Sequence, residues 1–163
     1  MQACPLNCFG EMDKRAQYEE FLPQLAGLVD KNQQTVSVLA NVTAALKEAF
    51  GWFWVGFYLV GEDGQLHLGP FQGTVACYTI PFGRGVCGTA WQRRATVVVR
   101  DVEEFPGHIA CSSLSRSEIV VPLFNGAGEV CGVLDIDSTE VGTFDDTDCQ
   151  YLEQAVQTLT ALL

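Results

Sequence analysis

At 163 residues, 48% hydrophobic and 18% charged, the chain has the balance of one globular domain and not of a disordered segment. Twenty acidic residues against nine basic ones give a net charge of -11, which repels a phosphate backbone and argues against nucleic-acid binding. No apolar run approaches the roughly 20 residues that span a bilayer, and the N-terminus lacks a basic-then-apolar leader. With an odd count of seven cysteines, the expectation is a cytoplasmic protein holding reduced thiols, with no membrane partner.

Residues 1–12 read as a flexible tail and 13–163 as a single domain. From Lys14 to Leu28, Tyr18, Phe21, Leu22, Leu25 and Leu28 recur at helical spacing, interrupted only by Pro23. A second helix follows from Val36, Leu39, Ala40, Thr43, Leu46 and Phe50, stopped by Gly51. Trp52 to Val60 is aromatic and β-branched, and the turn Gly61-Glu-Asp-Gly64 leads into Gln65 to Leu68, a hairpin. Gly73 to Ile80 reads as a further strand, which would set Cys77 on one face with Val75 and Thr79. Gly83-Arg-Gly85 opens a short helix to about Arg93; Thr96 to Val99 is a short strand, and Asp101 to Ser115 a long polar loop. Glu118 to Phe124 and Glu129 to Ile136 pair across Asn125-Gly-Ala-Gly128. Thr143-x-x-Asp146 resembles a capping box opening a last helix, with Cys149, Leu152, Val156, Leu159 and Leu163 as its apolar stripe. Hairpin-linked strands with flanking helices imply an α+β domain: an antiparallel sheet with the terminal helices on one face and room for a pocket on the other.

The chemistry concentrates in the middle of the chain. Cys77, Cys87 and Cys111 fall within 35 residues in glycine-rich or polar settings, which suggests reachable, ionisable thiols. Cys87 sits early in the short helix, where the positive end of the helix dipole would lower a thiol pKa; it reads equally well as a small packing residue. Cys111 follows His108 by three residues, near enough for an imidazole to favour thiolate. Cys131 and Cys149 fall inside regular apolar patterns and read as structural. Cys4-x-x-x-Cys8 is half of a zinc pattern, but there is no second close pair and the histidines are only His67 and His108, so no metal is expected. Asp135 and Asp137 alternate on a strand and so share a side, with Cys131 and Val133. Glu118 heads an apolar strand, where burial would raise its pKa and make it a proton donor. Trp54 and Tyr58 share a strand face opposite Phe53, Val55 and Phe57, and Gly56 leaves room between the two rings.

These segments together resemble the free methionine-R-sulfoxide reductases. The matching runs are Trp54-Val-Gly-Phe-Tyr58, Gly69-Pro-Phe-Gln-Gly73, Ile80-Pro-Phe-Gly-Arg-Gly-Val-Cys87-Gly-Thr-Ala, Gly107-His-Ile-Ala-Cys111, Ser117-Glu118-Ile-Val and Gly132-Val-Leu-Asp135-Ile-Asp137-Ser. The resemblance extends from about Tyr18 to the C-terminus and implies a GAF fold with a six-stranded antiparallel sheet. It implies reduction of free, not peptide-bound, methionine R-sulfoxide, with Cys111 as nucleophile and Cys77 or Cys87 as resolving cysteine. Glu118, Asp135 and Asp137 would be the acidic substrate residues, with Trp54 and Tyr58 as aromatic wall. No cofactor is implied; a thioredoxin-like dithiol would be the reductant, and relatives suggest a homodimer. The competing reading is a non-catalytic GAF sensor that binds a small ligand or responds to oxidation. Cys4, Cys8, Cys131 and Cys149 lie outside the three-cysteine pattern, and the N-terminal pair could serve as an extra redox relay.

Overall fold

The computed structural model describes residues 13–163. The expected tail, with Cys4 and Cys8, lies outside the described residues. Helices α1 (Lys14–Leu28) and α2 (Thr35–Phe50) are followed by strands β1 (Trp54–Val60), β2 (Gln65–Gln72) and β3 (Thr79–Pro81). Helix α3 (Gly85–Arg93), β4 (Val97–Val99), β5 (Ser117–Phe124), β6 (Val130–Ser138) and α4 (Asp146–Gln157) complete the domain. The six strands form one antiparallel sheet in the order β3-β2-β1-β6-β5-β4, an α+β architecture. None of the described helices is long and apolar enough to cross a membrane.

The sheet has an apolar cluster on each face. On one, Leu25 of α1, Leu39 and Leu46 of α2 and Leu152 of α4 pack on Val55, Phe57, Ile119 and Ile136. On the other, Val86, Cys87 and Ala90 of α3 pack on Trp54, Tyr58, Val120 and Val133. The long helices α1, α2 and α4 therefore cover one face, while the short α3 leaves part of the second face open. Gly51 ends α2 in the left-handed conformation, as its position suggests, with φ 68° and its N–H on the Lys47 carbonyl.

Four local expectations are corrected. The chain leaves the sheet at Gly73 (φ 140°), so residues 73–78 are loop, and Cys77 lies on no strand face. Strand β2 instead runs on through Gly69-Pro70 to Gln72. Proline is tolerated there because β3 pairs only with residues 65–67, leaving that edge free of ladder bonds. The capping box of α4 is Asp145 with Asp148, not Thr143 with Asp146. The Thr143 hydroxyl is already committed to the Ser138 Oγ and the Glu140 carbonyl.

The third correction concerns Cys131, which packs on the helix side, away from Val133 and Asp135. Leu123 faces Gly132 and Phe124 faces Val130, so Cys131 is the extra residue of a β-bulge and alternation breaks at that point. Phe53 likewise packs with the open-face cluster and not opposite Trp54, because it precedes the first ladder residue of β1. Cys149 is half-buried against the helix-side core.

Candidate active site

The open face presents a pocket of about 500 Å³, mouth included, between the sheet, the start of α3 and two loops. Strand register builds its floor. Asp137 of β6 lies opposite Glu118 of β5 on one side and Trp54 of β1 on the other, and Asp135 lies opposite Val120 and Gly56. Three carboxyl groups and an indole are thus fixed on neighbouring rungs of rigid central strands. Gly56 is required here, because a Cβ at that position would collide with the Trp54 ring and come 2.6 Å from the Phe71 Cβ. The indole lies over that gap, stacked on Phe71 at 5.3 Å and on Tyr58 at 6.1 Å between centroids.

Burial dominates the electrostatics of the floor. Glu118 and Asp135 are only 6% and 7% exposed, and desolvation, reinforced by the charge of Asp137, holds both carboxyls well above their ordinary values. Asp137 is pushed up to about 6 by desolvation, opposed by Ser115 and by His108. The Asp135 Oδ1 is buried without a hydrogen-bond partner. A buried polar atom aimed into a pocket is expected to be satisfied by what binds there. His108 stands 3.4 Å (Nε2) from the Glu118 Oε2, and burial lowers its pKa although Asp137 opposes that shift.

Cys87 does not have the activated thiol expected of a helix N-terminus. It is 2% exposed, and desolvation together with Asp135 and Glu118 drives its pKa well above 9.0. Burial outweighs the end of a nine-residue helix. The Cys87 sulfur and one oxygen each of Glu118 and Asp135 lie within 4.8 Å of one another, a set that could hold a metal ion. All three groups favour their protonated forms, so a cation would first have to displace protons.

At the mouth, Cys77 and Cys111 form a disulfide with a Cα–Cα distance of 5.4 Å. It joins loop 73–78 to the loop before β5. Two aromatic side chains of β1 anchor the first loop: the Trp54 Nε1–H donates to the Thr74 carbonyl at 2.9 Å and the Tyr58 hydroxyl to the Cys77 carbonyl at 3.0 Å. The rings read from the sequence as a wall are therefore also the hinge posts of a cysteine loop.

Of the eight residues singled out from the sequence, seven line this pocket, and Cys77 borders it through the bridge to Cys111. His108 and Ser115 were not among them, although both line it. The signal for His108 lay in the spacing His108-x-x-Cys111, which pointed to the cysteine; across the pocket the imidazole meets Glu118 instead.

The GAF domain family model matches residues 33–163. GAF domain-containing protein A of Dictyostelium discoideum is 57% identical over 146 residues, covering 90% of this chain and 92% of its own. The free methionine-R-sulfoxide reductase of Escherichia coli is 46% identical over 153 residues, covering 93% and 92%. The crystal structure of the Neisseria meningitidis free methionine-R-sulfoxide reductase, described as in complex with its substrate, superposes with a TM-score of 0.89 at 54% identity, covering 99% of this chain and 96% of that one. The six-stranded sheet, the carboxyl floor and the bridged cysteine loops thus sit in a chain that belongs to the GAF-domain family and, within it, to the free methionine-R-sulfoxide reductases.

Proposed function

We propose that this protein reduces free L-methionine (R)-S-oxide to L-methionine at the expense of a dithiol. The observation that carries the reading is a cystine, Cys77–Cys111, at the mouth of a pocket floored by three carboxyl groups and walled by Trp54. The floor supplies both recognition and acid. Asp137, with Asp135 beside it, takes the substrate ammonium, a group that a peptide-bound residue lacks. Trp54 packs against the sulfoxide methyl. Glu118, held protonated by burial, donates a proton to the sulfoxide oxygen.

The Cys111 thiolate then attacks the sulfur, methionine leaves, and the oxygen remains on Cys111 as sulfenic acid. Cys77 condenses with it, forming the S–S bond and releasing water; its loop is held for that step by the Trp54 and Tyr58 hydrogen bonds. Cys87 is a poorer resolving candidate, since it is buried with a raised pKa and unbonded. An external dithiol such as thioredoxin exchanges the disulfide away and becomes oxidised in turn. In sum, sulfoxide and dithiol give thioether, disulfide and water.

A reductant-coupled assay comparing free R, free S and peptide-bound methionine sulfoxide tests the reading. Turnover is expected with the free R epimer alone. Cys111→Ser should lose all of it, at least a thousandfold. Retained activity in that variant removes Cys111 as nucleophile, and no turnover by the wild type removes the activity itself.

A further inference from the structure

The three most exposed large apolar side chains among the described residues are Val75, Tyr78 and Leu114, at 84%, 81% and 58% exposure. None is scattered: Val75 and Tyr78 flank Cys77 at two residues and one, and Leu114 follows Cys111 by three. Chain reach alone keeps the first two within roughly 7 Å of the bridge along the backbone and Leu114 within roughly 11 Å. In a chain of net charge -11, the two segments that carry the collar, residues 69–83 and 109–115, contain no charged residue at all. The half-buried disulfide therefore joins two uncharged segments, whose exposed apolar side chains ring it as near neighbours along the chain, on an otherwise strongly acidic protein.

We propose that this ring is the docking surface for a protein dithiol reductant of the Cys-X-X-Cys class, which reaches the bridge by laying an uncharged, apolar surface of its own over Val75, Tyr78 and Leu114. The inference rests on the reading that Cys77–Cys111 is the oxidised form of the working enzyme. Substrate does not need Tyr78 or Leu114, neither of which lines the pocket; of the ring only Val75 does, at its mouth. A small dithiol needs no surface. A second copy of this chain seated there would cover the cystine and stop its re-reduction. A folded dithiol protein must bring a thiolate into line with the S–S bond, and a patch cleared of charge can be desolvated at little cost while sparing an acidic partner the repulsion of the remaining surface. In the exchange, the partner's first thiolate bonds to Cys77, the sulfur between Val75 and Tyr78, and Cys111 leaves as thiolate. The partner's second thiol attacks the mixed disulfide, releasing Cys77. Two electrons reach the enzyme, and the partner ends as a disulfide.

The test needs no sulfoxide turnover. Oxidised full-length protein is mixed with either a thioredoxin or dithiothreitol, and loss of the Cys77–Cys111 bridge is followed by thiol labelling and mass spectrometry. For Tyr78→Ser/Leu114→Ser, the second-order rate with thioredoxin is expected to fall about tenfold or more, while the rate with dithiothreitol stays within about twofold. Restoring apolar side chains as Tyr78→Phe/Leu114→Met should recover most of the loss. An unchanged thioredoxin rate overturns the proposal. So does an equal loss with both reductants, which would mean that the side chains shape the cystine and not its partner. Failure of the catalytic reading would appear in the sulfoxide assay alone, independently of these rates.

Discussion

Asp137 carries the clearest linkage between the site and stability. Its carboxyl moves from an ordinary 3.8 to about 6 on folding. Between those values the folded chain holds the proton more firmly than the unfolded chain, so stability falls as pH rises through that window and stays reduced above it. Asp137→Asn is therefore expected to be more stable than wild type at pH 7, by on the order of 1–3 kcal/mol, and indistinguishable near pH 4. The gain should come with a KM for free sulfoxide raised at least about tenfold, since the ammonium counter-charge is gone. Urea melts across pH 4–7 check the first part; a variant equally stable or weaker at pH 7 would mean that the folded site already compensates the charge. Glu118 supplies the contrasting case, a carboxyl held protonated by the same burial. Glu118→Gln keeps its shape and can still donate a hydrogen bond but cannot transfer a proton, so kcat should fall about 100- to 10,000-fold with KM nearly unchanged. A KM effect alone would reassign Glu118 to binding.

At the scale of elements, loop 73–78 is where folding and chemistry meet. The Tyr58 hydroxyl holds the Cys77 carbonyl, an interaction worth about 1 kcal/mol. Tyr58→Phe retains the ring and frees the loop, and disulfide closure is expected to slow about fivefold, letting a 1,3-dione trap sulfenic acid on Cys111 during single turnover. Unchanged trapping would show that Trp54 alone secures the loop. This same loop marks the limit of what the chain discloses before folding. Periodicity suffices for α1, which spans Lys14–Leu28, and for the pairs Trp54/Tyr58 and Asp135/Asp137, because both pairs lie within the uninterrupted β1–β6 ladder. It misleads at Cys77 and Cys131, where Gly73 and a bulge switch the backbone off its two-residue period. The pairing of Cys77 with Cys111, and the burial of Cys87 between carboxyls, depend on where α3 and two loops lie over the sheet. No local pattern encodes that placement.

At the scale of the whole molecule, the cystine belongs to one face of the sheet and ties together only the segment between Cys77 and Cys111. The helix-side face is self-sufficient: Asp148, 1% exposed, caps α4, accepts from the Tyr18 hydroxyl at 2.7 Å and pairs with Lys14 at 2.6 Å, joining α1 to α4 far from any cysteine bridge. The open face has only α3 and loops, and there the bridge spans 34 residues of sequence, enclosing α3, β3 and β4. Closing a loop of that length removes unfolded-state entropy equivalent to about 4 kcal/mol. Oxidised protein is therefore expected to melt roughly 10 °C above the same protein kept reduced, and Cys77→Ser should melt at the reduced value under both conditions. Scanning calorimetry with and without a phosphine reductant measures the difference. A common melting temperature would mean that strain in the bridged fold, or residual structure in the reduced unfolded chain, cancels the closure entropy. A difference near the expected size would mean that the bridge acts on the unfolded chain, with the folded open face contributing no compensating strain.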